Sequence, residues 1–251
     1  MRTRLRLALL LLAFGAAPAR ADPDALWHIV HDRCVPDQQA HGVPTPCMVV
    51  DLAGGTVVLK DNVGDTQFLL LPTARVTGIE DKTVLAPAAP NYFAAAWQAR
   101  GLVEQRAGRS LPREAIGLAI NSQYGRTQNQ LHIHIDCLRP DVIAALRAHG
   151  PSVGGTWARF PVPLAGHSYL ARRLGRADVA DANPFVLLAD GVPGARTEMG
   201  RWTLVVAGVT IAGAPDLLLL ADHLDLSTGD RASGEELQDH ACAIKAPGGG
   251  M

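Results

Sequence analysis

Gln130-Leu131-His132-Ile133-His134-Ile135-Asp136-Cys137 alternates polar and apolar residues without a break. Successive side chains of a strand point to opposite faces. Gln130, His132, His134 and Asp136 therefore share one face, and Leu131, Ile133, Ile135 and Cys137 share the other. The second face is apolar and belongs in a core. The first carries two imidazoles two residues apart. The pattern predicts a strand over 130–138 in an antiparallel sheet, whose strands commonly read apolar on one side and polar on the other.

Working outward, Asn121 to Asn129 is a polar connection, and Ala115–Ile120 reads as the strand before it. Further upstream lie three β-type runs, Cys47–Leu52, Thr56–Lys60 and Thr66–Leu71, separated by short turns, which predicts a meander. Asp22 to Val35 has helical spacing, Val35 to Pro46 reads as a loop, and Pro72 to Pro90 as irregular. Asn91 to Ala107 reads as one helix that Asn91 caps and Gly108 ends. Downstream, Pro140 starts a helix that Gly150 closes. Trp157–Leu164, Trp202–Ile211 and Leu217–Ala221 read as strands. Ser233 to His240 reads as a helix, with Ser233 and Glu236 in capping-box spacing. Strands and helices do not alternate regularly, so the class is α+β, an antiparallel sheet with flanking helices. No linker divides the chain.

The 251 residues are 48% hydrophobic and 19% charged, which excludes wholesale disorder. Arg2, Arg4 and Arg6 precede an apolar run, Leu7 to Ala17, and then Pro18-Ala19-Arg20-Ala21. These are the three parts of a secretory signal, and the run is shorter than the roughly 20 residues a membrane span needs. Residues 22–251 then form the expected mature domain, with its net charge moved from −1 to a more negative value by the loss of four arginines. That disfavours nucleic acid as a partner. The expected location is outside the cytoplasm. Cys34, Cys47, Cys137 and Cys242 allow three pairings. The expected one joins Cys34 to Cys47 across a short loop and Cys137 to Cys242, tying the C-terminus to the histidine strand.

A histidine pair on a rigid strand can supply a nucleophile and a proton donor close together. The loop before it, with Asn121, Arg126 and Thr127, suits an anionic group. Zinc is the other chemical reading, because His132-x-His134-x-Asp136 begins a known metallohydrolase pattern. Cys137 stands where that pattern closes on histidine, and it points to the opposite face. Lys60 ends a strand and could stabilise negative charge. His167, Arg172 and Arg173 form a second basic cluster, suited to a distal phosphate or a headgroup. The remaining histidines, His240 among them, have no patterned partners and read as surface or structural.

Several stretches together resemble one family. They are Val58-Leu59-Lys60-Asp61, Asn91-Tyr92-Phe93, Leu118-Ala119-Ile120-Asn121-Ser122, and Gly125-Arg126-Thr127-Gln128-Asn129 running into the histidines. Arg139-Pro140-Asp141-Val142, residues 166–173 and residues 235–240 complete the set. The family is the CDP-diacylglycerol pyrophosphatases, a bacterial branch of the histidine triad (HIT-like) superfamily. The resemblance implies a HIT-like fold, and hydrolysis of a liponucleotide pyrophosphate at a membrane surface to CMP and phosphatidate. It implies a periplasmic location, at or anchored to the inner membrane, and no cofactor or metal. It makes His132 the nucleophile and gives phosphate oxygens to His134. Asn121 would lie near the ribose or phosphate, and Arg126 and Thr127 would hold the phosphate. Gln130 occupies the first histidine position, whose role is to orient the nucleophile. Other readings are a broader exported nucleotide pyrophosphatase or nucleotidyltransferase, and a non-catalytic liponucleotide-binding protein.

Overall fold

The three β-type runs after Cys47 form a meander in the computed structural model, which describes residues 22–245. Its strands are β1 (Val49–Asp51), β2 (Thr56–Lys60) and β3 (Phe68–Pro72). The signal-type segment lies outside the described residues. Beyond the meander come β4 (Ile116–Ile120), β5 (Ile133–Cys137), β6 (Ala158–Arg159), β7 (Leu170–Arg173), β8 (Trp202–Ile211) and β9 (Ala214–His223). They make one nine-stranded sheet in the order β1-β2-β3-β5-β4-β8-β9-β7-β6, with every pairing antiparallel. The class is α+β, as the sequence predicts.

The histidine strand β5 lies between β3 and β4. Leu69 and Ala119 stand directly across from His134 on the two sides. Ile133, Ile135 and Cys137 face the main core with Phe68, Leu70 and Leu118. On the histidine side, Val57, Leu59, Leu69 and Leu71 pack on Val30 and Cys34 of the N-terminal helical segment. That segment runs as α1 (Ala25–Ile29), a π-helical turn (Val30–Cys34) and α2 (Val35–His41). Helix therefore replaces the loop expected from Val35 through His41. Pro36 is tolerated because it stands in the first turn of α2, where an N–H needs no helical partner.

Other boundaries move for identifiable reasons. The single helix expected over 91–107 is broken at Arg100 into α3 (Tyr92–Ala99) and α4 (Gly101–Ala107). Asn91 does cap it, accepting from the Ala94 N–H, and Gly108 ends it at φ 70°. Helix α5 (Pro140–His149) forms as read. The strand expected over 157–164 forms a ladder only at Ala158–Arg159, with a lone bridge from Leu164 to His167, since Pro161 and Pro163 remove ladder donors between them. The strand expected over 130–138 begins its ladder at Ile133. The Leu131 N–H instead meets the Val76 carbonyl at 2.6 Å. Helix over 233–240 is reduced to a single 3-10 turn, Gly234–Leu237. No capping box forms, because the Ser233 hydroxyl lies 3.1 Å from Asn121 Oδ1. Helix α6 (Pro184–Gly191) and strand β7 are additional to the sequence reading. Both expected disulfides form, Cys34–Cys47 and Cys137–Cys242.

Candidate active site

His132 and His134 stand at the start of β5, almost fully buried. Their rings meet edge to face with centroids 4.9 Å apart. His132 Nδ1 lies 2.6 Å from the Gln130 carbonyl oxygen. A carbonyl only accepts, so Nδ1 carries the proton and Nε2 keeps its lone pair. On His134 the roles reverse. Gln67 Nε2, 2.9 Å away, donates to its Nδ1 and also donates to Asp61 Oδ2 at 2.6 Å. Neutral His134 therefore carries its proton on Nε2, which is buried with no partner among the described residues.

Burial, reinforced by the neighbouring His134 ring, lowers the His132 pKa to about 4 against Glu235, which opposes it. Burial likewise lowers His134 to about 4, against the pull of Asp61. Both rings are neutral at ordinary pH. A neutral imidazole with a free Nε2 is a nucleophile, and a neutral imidazole with an Nε2–H is a hydrogen-bond donor.

The two rings open onto a cavity of about 430 Å³ that Asn121, Arg126 and Thr127 also line. Five of the sequence-predicted residues are thus brought together. The Asn121 amide is held by the 234–237 turn: Nδ2 donates to Glu235 Oε2 at 3.0 Å, and Oδ1 accepts from the Glu235 N–H at 3.2 Å. Arg126 is gripped by both oxygens of Glu80 at 2.5 and 2.7 Å. Ser122 Oγ accepts from the N–H groups of Tyr124 and Gly125, which folds the loop back. Gln128 ties that loop to the first turn of α1 through the Leu26 N–H. Leu26, Ile29 and Leu69 give the cavity an apolar wall.

The other predicted residues sit elsewhere. The fully buried Gln130 side chain bonds the carbonyls of Pro72 and Ala74 at 3.1 and 2.8 Å. Orientation of His132 comes from the Gln130 backbone, so the amide side chain expected to do it instead pins the 72–74 segment. Lys60 donates to the carbonyls of Asp61 and Gly64 and closes the loop that presents Asp61. His167 pairs with Glu236 at 2.8 Å, outside the cavity. Arg172 lines a separate cleft with Asn91, Asp190 and Arg196. The zinc pattern fails geometrically: His132, His134 and Asp136 do not converge. Asp136 is engaged instead by the Thr66 hydroxyl and His240.

Sequence reasoning missed Asp61, Gln67, Glu235 and His240. Glu235 Oε1 is 3.3 Å from His134 Nδ1 and 3.4 Å from His240 Nε2. The hydrogen bond to Asp136 holds the His240 pKa above its ordinary value. A signal existed: the expected Cys137–Cys242 bridge already ties residues 235–240 to the end of the histidine strand.

A family model described as CDP-diacylglycerol pyrophosphatase matches residues 21–246. A Yersinia pestis protein named CDP-diacylglycerol pyrophosphatase is 46% identical over 224 residues, covering 89% of this chain and 86% of its own length. A match that spans the histidine strand, the loop before it and the C-terminal turn takes in every element that builds the cavity, and by it the chain belongs to the CDP-diacylglycerol pyrophosphatase family.

Proposed function

We propose that the protein hydrolyses the pyrophosphate bond of CDP-diacylglycerol to CMP and phosphatidate through a covalent intermediate on His132. The observation that carries this is the hydrogen bond from His132 Nδ1 to the Gln130 carbonyl, which leaves a neutral ring with its Nε2 lone pair free. Nε2 attacks the α-phosphorus. The bond from that phosphorus to the bridging oxygen breaks, and phosphatidate leaves with the bridging oxygen and its electron pair. The cytidylyl group stays on Nε2. Water then attacks the same phosphorus, the P–N bond breaks, and CMP departs as the imidazole returns to neutrality, with the water proton released to solvent.

His134 Nε2–H donates to a non-bridging oxygen, and this would satisfy its otherwise unpartnered atom. Arg126 and Thr127 face the second phosphate from the loop, with Glu80 fixing the guanidinium. The apolar wall of Leu26, Ile29 and Leu69 suits the glycerolipid end. The fold reading that goes with this mechanism is HIT-like, supported by the histidine strand within an antiparallel sheet. Two disulfides fit an oxidising compartment, and with the signal-type N-terminus they support a periplasmic protein working at a membrane surface. Among the described residues no helix is long and apolar enough to cross a membrane.

The test is CMP release from CDP-diacylglycerol in detergent micelles, followed by acid-free quenching and intact mass. The expected results are turnover, a transient gain of one cytidylyl group, and loss of both in His132→Ala by a factor of about 10³ or more. Turnover without any adduct, at full rate in His132→Ala, would refute the covalent reading. Binding with no turnover in the unaltered protein would make it a liponucleotide-binding module.

A further inference from the structure

A second cluster of titratable side chains lies on the β7–β9 side of the sheet, and the reaction above does not use it. Asp222 stands near the end of β9, Asp230 follows the loop after that strand, and His167 precedes β7. One donor atom from each comes within 4.8 Å of the other two. Both aspartates are more than nine-tenths buried, at 5% and 6% exposure. Asp222 Oδ1 accepts from the His223 N–H, while its Oδ2 is buried and, among the described residues, finds no donor apart from a proton it would have to share with the adjacent Asp230 carboxyl. Asp230 Oδ1 accepts from the Ala232 N–H at 2.7 Å. Glu236 Oε1 adds a further carboxylate against His167 Nδ1 at 2.8 Å, and is itself held by the Tyr169 hydroxyl. Exposed Arg159 and half-buried His223 line the outer part of the same cavity of about 520 Å³.

A buried carboxylate oxygen with no donor costs free energy unless a positive charge answers it. One imidazole with two carboxylates is a mixed nitrogen and oxygen donor set, which suits Zn²⁺ or Mn²⁺ better than Ca²⁺ or Mg²⁺. An anion such as a phosphate or headgroup meets carboxylates here and is repelled, so the sequence expectation for His167 takes a different form. We propose that His167, Asp222 and Asp230 bind one first-row divalent cation, at a site separate from the histidine pair. The cation would clamp β9, the loop after it and the approach to β7. It would also sit behind the 234–237 turn, whose Glu236 faces this cluster and whose Glu235 faces the cavity of His132.

The test uses the full mature chain, stripped with chelator and then titrated with ZnCl₂, MnCl₂ or CoCl₂. Expected are one equivalent bound by equilibrium dialysis, a melting temperature raised by several degrees at saturation, and a visible absorption spectrum for bound Co²⁺. Asp222→Asn and His167→Gln should each weaken uptake at least tenfold, while His132→Ala leaves it unchanged. His167 is partly exposed, so its variant decides the matter should Asp222→Asn fail to fold. No uptake of any of the three cations would overturn the proposal and leave a shared proton between the two aspartates. Uptake that survives His167→Gln, or that disappears in His132→Ala, would also overturn it, the latter by placing the cation on the histidine pair.

Discussion

Lowering the pH from about 8 to about 5 is expected to leave kcat/KM almost unchanged. In the proposed mechanism His132 must be neutral to attack, and its pKa is lowered to about 4. At pH 5 a group of pKa 4 is about 90% neutral, whereas an ordinary imidazole of pKa 6.5 is only about 3% neutral. The two cases differ by about thirtyfold at that pH, well beyond assay error. The measurement is initial CMP release from micellar substrate at saturating detergent, with near-ultraviolet circular dichroism at every pH. The fold control matters because the same shift costs stability in acid. Each ring binds its proton near pH 6.5 in the unfolded chain and near 4 in the folded one, so the unfolded chain holds more protons between those values. The contribution of these two rings to stability is complete above about pH 6.5 and is lost as the pH drops toward 4, by at most about 3 kcal/mol per ring. A loss of about thirtyfold by pH 5 with the dichroism intact would show a solvated imidazole, and would refute the burial argument.

Four further perturbations test other links. Replacing Cys137 and Cys242 together by Ser should cost about 4 kcal/mol in denaturant melts, because the bridge spans 105 residues of chain. Replacing Cys34 and Cys47, only 13 apart, should cost less. Gly234→Ala places a Cβ 2.5 Å from Val205 Cγ2 and 2.6 Å from Thr203 Oγ1, so the turn must shift; kcat should drop at least tenfold, with a stability loss of about 1–3 kcal/mol in the same melts. Gln130→Leu should lower stability by about 1–3 kcal/mol through the stranded carbonyls of Pro72 and Ala74, yet keep measurable turnover, because His132 is oriented by the backbone; complete inactivity of the folded variant would show that the amide acts in the reaction.

The sheet was legible wherever alternation was long and uninterrupted. Beside the histidine strand, Trp202–Ile211 and the runs of β2 and β3 were legible for another reason: each is an apolar, largely β-branched or leucine-rich run buried on both faces and bounded by turn residues. Strand β7 was not, because Arg172 and Arg173 end it in charge after two apolar residues. Helix α6 carried its signals, Asn183 as cap and Pro184 in the first turn, but an almost wholly apolar stretch has no helical stripe to read. Within the site, the histidines and the 121–129 loop were legible because they adjoin one another in the chain. Asp61, Gln67 and Glu235 were not. They converge only because β3 pairs with β5 and the chain returns after β9, and local pattern cannot encode either event.

The bridge from Cys137 to Cys242 joins the histidine strand to a segment that lies 105 residues later in the chain. A chain that emerges from its N-terminus first can build β1 to β5, which ends at Cys137, and set both imidazoles in place before the residues after it exist. It cannot yet position Asn121, whose amide waits for Glu235, nor complete β4, whose second neighbour is β8. The proposed nucleophile therefore precedes in the chain the last of the groups that surround it. Because Glu235 and Cys242 join the site from so far along the chain, fragments truncated before Ser233 should be inert however well their sheet forms.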